Sequence, residues 1–450
     1  MLIKNGTIVN AAGLQKADLY LELGRIRKIA KSIYVPGEET IDATGLFILP
    51  GMVDAHVHLR DFREIPKEDY FSGTSAAIAG GVTSVIDMPN NSLPTISIQN
   101  LGAKKFVATK KAVCNYGFHF GATGDNFEET KLAAIDPSIA SLKIYMGSST
   151  GSLLIDDFSS FYRHLATFKK TITLHAEDEG AIRHFSKVHG GAEPKPGVSS
   201  NAHPSASSHS KIRNEMAAEL AVARALASAA KTSAKLHFAH VSTRKEVDLI
   251  DSAKKRKLRV SCEVSPHHLF LDESLTKKLG NFAKVNPPLR SKAQVAGLWE
   301  SVQKGQIDML ATDHAPHLRE EKEKGYLEAP SGIPELDTAL LLMLDAVNKK
   351  RLPLQKVVLL YSTAPSRVFK IYNKGAIAVG RDADLVLIDM KAKTRISNDK
   401  LFTKCKWSPY DGMEVRGRIR KTILAGKIAY DGESVLARMG EGRELKFGKI

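Results

Sequence analysis

Short apolar runs, each closing on polar residues, recur through the middle of the chain and alternate with stretches of helical spacing. The run within Leu49-Pro50-Gly51-Met52-Val53-Asp54-Ala55-His56-Val57-His58-Leu59-Arg60-Asp61-Phe62 reads as a turn, a buried strand and a polar strand end. Further strands are predicted at 83–88, 142–146, 172–175, 236–240 and 307–313, and helices at about 211–230 and 335–348. Apolar strands alternating with helices are the signature of a parallel sheet with crossover helices, and either a (β/α)8 barrel or an open sheet satisfies it. The two ends of the chain show another pattern. From Met1 to about Phe47, and again at 384–388 and 421–430, short alternating strands are broken by turn signals such as Asn5-Gly6. Neither piece can bury a sheet face alone, so the two are expected to pair into one small β-sandwich. The expected division is 1–48 with 366–450 for the sandwich and 49–365 for the α/β unit.

Composition narrows the class. With 43% hydrophobic and 25% charged residues in 450, the chain is neither disordered nor fibrous. No apolar run is long enough to span a bilayer, and the N-terminus lacks a signal-peptide core, so no membrane partner and a cytoplasmic location are expected. Cys114, Cys262 and Cys405 are far apart and unpaired by spacing, so any metal must use nitrogen and oxygen ligands. A net charge of +16 raises nucleic acid as a partner, but Lys and Arg are spread along the chain. The densest run, Lys254-Lys255-Arg256-Lys257-Leu258-Arg259, has no interleaved aromatic residue for base stacking and is read as a solvated helix end or loop. Nucleic acid is therefore not expected, whereas small anions would be attracted.

The chemistry is concentrated at strand ends. Strand alternation sends His56 and His58 to one side, where two imidazoles can reach one metal, and Arg60 shares their parity. Asn90, Asn91, Lys143, His175, His240 and Asp313 fall near the C-terminal ends of successive predicted strands, which is the active-site face of a barrel. His237 and His240 are three apart and should face opposite ways, and His240, at the strand end, is taken as the inward one. His267 and His268 are assigned a structural role beside the mouth, and His119, His203 and His209 are read as ordinary polar residues. Two histidines from the first strand, one from each of two later strands and an aspartate from the last make a site for two cations such as zinc. Cations a few ångströms apart need an anionic bridge, for which Lys143 is the candidate if its amine takes up carbon dioxide as a carbamate. A lysine snorkelling to water is the plainer reading of that residue taken alone.

Six segments together carry a resemblance: His56-Val57-His58-Leu59-Arg60-Asp61, Asp87-Met88-Pro89-Asn90-Asn91, Leu142-Lys143-Ile144-Tyr145, Leu174-His175-Ala176-Glu177, Ala239-His240-Val241-Ser242 and Ala311-Thr312-Asp313-His314-Ala315-Pro316-His317. The chain resembles the dihydroorotases of the amidohydrolase superfamily along essentially its whole length. The opening Pro50 to His56 is shared by many cyclic amidohydrolases, whereas the Arg after the second His, Met-Pro-Asn and Asp-His-Ala-Pro-His are more specific. The resemblance implies a (β/α)8 TIM-type barrel with a small β-sandwich, and reversible cyclisation of N-carbamoyl-L-aspartate to L-dihydroorotate in pyrimidine synthesis. It implies two zinc ions per subunit, bridged by carboxylated Lys143 and a hydroxide, with His56, His58, Lys143, His175, His240 and Asp313 as ligands. Asp313 would also be the proton shuttle. His58, Arg60, Asn90 and His317 would contact substrate, with Asn286, Ser331 and Gly332 as further contacts. The family tends to show Gly-Leu-Glu where this chain has Glu335-Leu336-Asp337. From its own composition and its place after Lys143, the loop Gly147 to Ser152 reads equally as a lid over substrate and as a surface turn. A homodimer is expected, as is association with another pyrimidine-pathway enzyme. The rival readings are a hydantoinase, dihydropyrimidinase or allantoinase, which need no carboxylate clamp, and a non-catalytic scaffold, which should have lost ligands.

Overall fold

Eight strands run parallel in sequence order: β1 (Met52–Val57), β2 (Val82–Asp87), β3 (Asn115–Gly121), β4 (Ile139–Tyr145), β5 (Thr171–His175), β6 (Lys235–Phe238), β7 (Val260–Val264) and β8 (Met309–Leu310). They belong to a computed structural model that describes residues 1–148, 153–189 and 208–448. The ring closes where Val57 bridges His314 in parallel and the His58 amide donates to the His314 carbonyl at 2.8 Å. The protein is thus a barrel, and the open sheet is excluded. β1 to β5 are buried along their whole length, as strands covered on both faces must be.

Helix starts are set by side-chain caps. Asp69 accepts from the Ser72 amide ahead of Tyr70–Ala79, and Thr243 and Glu246 form a reciprocal box ahead of Arg244–Lys255. The two helices expected from spacing begin later than predicted, at Glu215 and Ala339. Asn214 fixes the first by accepting from the Ala217 amide at 3.2 Å. The basic run is a helix end, with Lys254 paired to Asp308 at 2.5 Å and Lys255 to Asp251 at 2.8 Å. No helix among the described residues is long and apolar enough to cross a membrane.

Two of the eight strands, β3 and β7, were not among the strands predicted from sequence. Their inward positions include His119 and Glu263, so the apolar run that marks the other strands is interrupted. The predicted strand at 236–240 stops at Phe238, and the one at 307–313 keeps ladder pairing only at Met309 and Leu310. Past those points the chain leaves the sheet to present side chains at the mouth.

The chain ends pair as the turn-rich pattern suggested. A four-stranded sheet holds Leu2–Lys4, Asp18–Glu22, Arg25–Ala30 and Thr40–Asp42. A six-stranded sheet joins Thr7–Asn10, Gly13–Lys16 and Phe47–Pro50 to Leu385–Arg395, Glu414–Leu424 and Lys427–Tyr430. Ile3, Leu19, Ile26, Ile48, Leu385 and Ile423 share the core of this sandwich. Phe47–Pro50 pairs with Leu385–Ile388 just before β1 begins, so the sandwich reaches past residue 48 and anchors the first barrel strand. The last part of the chain does something else. Leu445 and Phe447 pack with Phe369 against Val53, Ala55, Ile86 and Met309, closing the end of the barrel opposite the mouth.

Candidate metal centre and its anion-facing pocket

β1 delivers His56 at its penultimate position and His58 just beyond its end, and both imidazoles reach the same carboxylate. Asp313 Oδ1 lies 3.1 Å from His56 Nε2 and 3.0 Å from His58 Nε2. The ligand-capable atoms of His56, His240 and Asp313 lie within 4.8 Å of one another. His175, the last residue of β5, places Nδ1 3.0 Å from His240 Nε2. Lys143, on β4 opposite Thr173, is completely buried beside this group. Regular strand parity does not by itself place these residues, because the β1–β2 register shifts between Asp54 and Val57 and beyond Val57 the chain has left the ladder. His240, Asp313 and Arg60 take φ of +35°, +51° and +57°, a region costly to residues with a Cβ, about 1–3 kcal/mol each. Such strain collected at one strand mouth is the mark of side chains aimed for a purpose.

The donor set fits divalent cations, as two kinds of observation indicate. One is that outer hydrogen bonds orient the imidazoles. His56 Nδ1 donates to Glu263 at 2.5 Å, His58 Nδ1 faces the Asn90 carboxamide oxygen at 2.8 Å, and His175 Nε2 lies 3.1 Å from Glu177. Each contact leaves the other ring nitrogen directed at the cluster, the arrangement in which a neutral imidazole ligates. The other is that two atoms of the cluster itself, Lys143 Nζ and His240 Nδ1, are among the buried atoms with no hydrogen-bond partner. Unsatisfied buried groups are costly and call for a ligand.

The electrostatics agree. Burial holds the Lys143 amine down to about 8 even with the carboxylates of Glu263 and Asp313 nearby. Burial takes His58 down to about 4 and lowers His175 and His240, so these rings are neutral. His56 is the exception. Burial lowers it too, but the carboxylates of Asp313 and Glu263 outweigh that and raise it. Asp313 is held well below the usual carboxylate range because His56 and the hydrogen bonds from His56 and His58 overcome its burial.

Beside the cluster, one cavity is lined by His58, Arg60, Asn90, Asn286, Asp313, Ser331 and Gly332, with Val285 and Ala315. Arg60 is 1% exposed and faces it from the side. Its Nε donates to the Pro316 carbonyl at 3.2 Å, and Glu64, at 3.9 Å from Nη1, is its nearest acidic neighbour. Gly332, at φ +151°, can only be glycine, since a Cβ would lie 2.5 Å from the Ala315 carbonyl oxygen. His317 sits against the clamp residue. It does not line the cavity but lies behind Arg60, with Nε2 3.0 Å from Arg60 Nη2 and 3.1 Å from the Ser331 carbonyl oxygen. His209 is also more than an ordinary polar residue. Its Nε2 lies 2.9 Å from Asn286 Oδ1 and its Nδ1 2.7 Å from the Tyr326 hydroxyl, which fixes the cavity wall. His267 and His268 are structural, bonded to Glu335 at 2.9 Å and to the Pro287 carbonyl at 3.1 Å. His203 and residues 149–152 of the Gly-rich loop lie outside the described residues.

Several supporting residues have no counterpart in the sequence reading. Glu263 on β7 takes His56 on one oxygen and His237 Nε2 on the other at 2.8 Å, so His237 and His240 both serve the centre. Asp54 accepts from the His56 and Thr312 amides at 3.2 and 3.1 Å and ties β1 to β8. Arg213 clamps Glu177 at 2.6 Å. Lys322, 1% exposed, donates to the Lys284, Pro330 and Gly332 carbonyls at 3.1, 2.9 and 3.1 Å and so knots the cavity's outer wall. A buried acid in a strand, as in Ser261-Cys262-Glu263-Val264, is the one signal that could have exposed Glu263. Because such outer partners tune affinity, Glu263→Gln should weaken metal binding about 10–100-fold, read by chelator competition with elemental analysis. Unchanged affinity would mean that Glu263 serves only the fold.

The model of the Amidohydrolase family matches residues 47–429. The chain is 36% identical to the dihydroorotase of Methanosarcina mazei over 455 residues, covering 99% of this chain and 97% of that one. It is 37% identical to the dihydroorotase of Pyrococcus abyssi over 405 residues, covering 90% and 88%. Among solved structures it is similar to L-hydantoinase from Arthrobacter aurescens, with a TM-score of 0.92 and 29% identity over 99% of each chain. The dihydropyrimidinase of Brevibacillus agri gives a TM-score of 0.89 at 27% identity over 100% of this chain and 99% of that one.

Proposed function

This chain belongs to the amidohydrolase family, and from that premise we infer that it is a dihydroorotase, interconverting N-carbamoyl-L-aspartate and L-dihydroorotate. The observation that carries the choice of substrate is the buried guanidinium of Arg60 on the same cavity as Asp313 and His58. A substrate with a spectator carboxylate matches that charge, whereas hydantoin, dihydrouracil and allantoin bring none. The near-full-length likeness to dihydroorotases supports the same choice, although the solved structures cited are hydantoinases and dihydropyrimidinases. Turnover of metal-replete protein with L-dihydroorotate against those three rings tests it; preference for hydantoin or dihydrouracil would reverse the assignment.

Metal dependence belongs to the family, and the finer arrangement is part of the proposal. Two zinc ions would be held by His56, His58, His175, His240, Asp313 and Lys143, the last as its carbamate. When bound, such a pair supplies Lewis acidity and makes water acidic enough to attack near neutral pH. The remaining work falls to side chains. Arg60 binds the ring's carboxylate through its guanidinium N–H groups, and Asn90 adds a neutral amide donor. Asn286, with His209 behind it, and the Ser331–Gly332 backbone form the opposite wall and orient the ring. Asp313 takes a proton from the attacking water and delivers it to the ring amide nitrogen as the C–N bond breaks. Cyclisation runs through the same steps in reverse, with water leaving.

Arg60→Ala should raise KM roughly 30-fold, the equivalent of about 2 kcal/mol from a lost charge-assisted hydrogen bond, while metal content stays the same. Steady-state kinetics with elemental analysis check this; equal loss of metal and activity would contradict the clamp. The division of the chain into 1–48 with 366–450 and 49–365, shifted so that the sandwich includes Pro50 and the barrel includes the packing of Phe369, Leu445 and Phe447, a homodimer, association with another pyrimidine-pathway enzyme and a cytoplasmic location complete the proposal. Light scattering of the purified protein tests the dimer.

A further inference from the structure

Away from the metal centre, basic side chains gather on the far ends of the long sandwich strands Leu385–Arg395 and Glu414–Leu424. Together with the start of the helix Ala339–Asn348 and the end of Tyr70–Ala79, they enclose a cavity of about 600 Å³. Lys393, Arg395, Lys400 and Arg418 line it, and none of the four has an ion pair among the described residues. Acids share the wall, since Asp337, Asp399 and Glu433 also line it and Arg395 stands opposite Glu414 in the strand register, but the basic side chains outnumber them. Asp389, opposite Arg418 in the strand register, gives its carboxylate to Arg420 at 2.7 Å. Asp337 accepts from the Phe402 amide at 2.7 Å and the Thr403 amide at 3.3 Å, and Asp399 accepts from the Ser397 hydroxyl. Lys393 stands directly opposite Arg416, a like-charge pair that destabilises an antiparallel ladder.

The wall is not purely basic. Phe402 and Tyr430, both half-buried, meet edge to face with centroids 5.9 Å apart and also line the cavity. An aromatic surface beside unpaired cations suits a ligand with a planar ring and an anionic tail. The volume falls within the range of small-molecule sites and exceeds what an inorganic anion fills. Neither the metal cluster nor the Arg60 pocket shares a lining residue with it.

We propose that this cavity is a binding site for a ring-bearing phosphate ester of the nucleotide class, with Lys393, Arg395 and Arg418 taking the phosphates and Phe402 and Tyr430 the base. The proposal is independent of the reaction assigned to the metal centre. Isothermal titration of the full-length, metal-replete protein uses ADP as the ring-bearing probe and pyrophosphate as the ringless one. ADP should bind with a Kd of about 100 µM or tighter at low salt, and weaken as salt rises from about 50 to 200 mM. The Lys393→Ala, Arg418→Ala double variant should lose about tenfold or more in ADP affinity while dihydroorotate turnover stays unchanged and the melting temperature does not fall. Tyr430→Ala should weaken ADP but not pyrophosphate. Three outcomes would overturn the site: no ADP binding up to about 1 mM, ADP binding undiminished in the double variant, or pyrophosphate binding as tightly as ADP.

Discussion

Asp313→Asn should lower kcat about 10³-fold, which is about 4 kcal/mol of transition-state stabilisation. The substitution keeps the shape and one oxygen of the side chain while removing its capacity to accept and return a proton. In the structure that capacity is prepared in advance, because the carboxylate is held ionised against burial by His56 and by hydrogen bonds from His56 and His58. The strained backbone at φ +51° leaves little freedom to aim the side chain elsewhere. Kinetics in both directions, with elemental analysis beside them, make the test. Loss of kcat at retained metal content supports the shuttle, and activity within about tenfold of the parent protein would assign proton transfer to another group.

Lys143→Met should remove activity and lower the bound metal below the parent protein's content. Methionine fills a similar volume without the amine, so the barrel should stand while the bridge is lost. The reasoning is one of protonation. Carbon dioxide adds only to an uncharged amine, with a proton leaving as the carbamate forms. A free lysine near 10.4 is almost wholly charged at neutral pH. Buried Lys143, held down to about 8, leaves roughly one amine in ten uncharged at pH 7. Its Nζ has no hydrogen-bond partner, so conversion to an anion that two cations can share would satisfy it. A carbamate signal after loading with ¹³C-labelled bicarbonate, absent from Lys143→Met, would support this. Full metal content and activity in that variant would end the bridging role.

These expectations separate two kinds of information. The residues at the centre were legible because each closes an apolar run: His56 and His58 after Met52 to Ala55, His175 after Ile172 to Leu174, Asp313 after Met309 to Ala311. A largely apolar run that buries itself in a sheet tends to turn polar at the sheet's edge, and parallel strands put all such edges on one side. Buried polar residues within strands, such as Asp54 and Glu263, break the pattern. That regularity is local, and one chain's text contains it. The same text held the turn-rich ends that pair into the sandwich.

The partners were not legible, because a partner is fixed by distance in space. His56 meets Glu263 across 207 positions of sequence, and Arg60 meets His317 across 257. Nothing near His237 indicates that it shares Glu263 with His56, and strand alternation, which placed it on the opposite side from His240, lapses once the chain leaves the ladder at Phe238. His317 reaches Arg60 because the chain after Asp313 folds back beside the guanidinium, a contact that strand periodicity does not foretell. Sequence therefore determined which side chains reach the mouth of the barrel, since hydrophobic burial dictates where each run must stop. Only the closed tertiary structure decided which of them touch one another, because barrel closure brings β1 beside β8 and lets distant carboxylates choose their imidazoles.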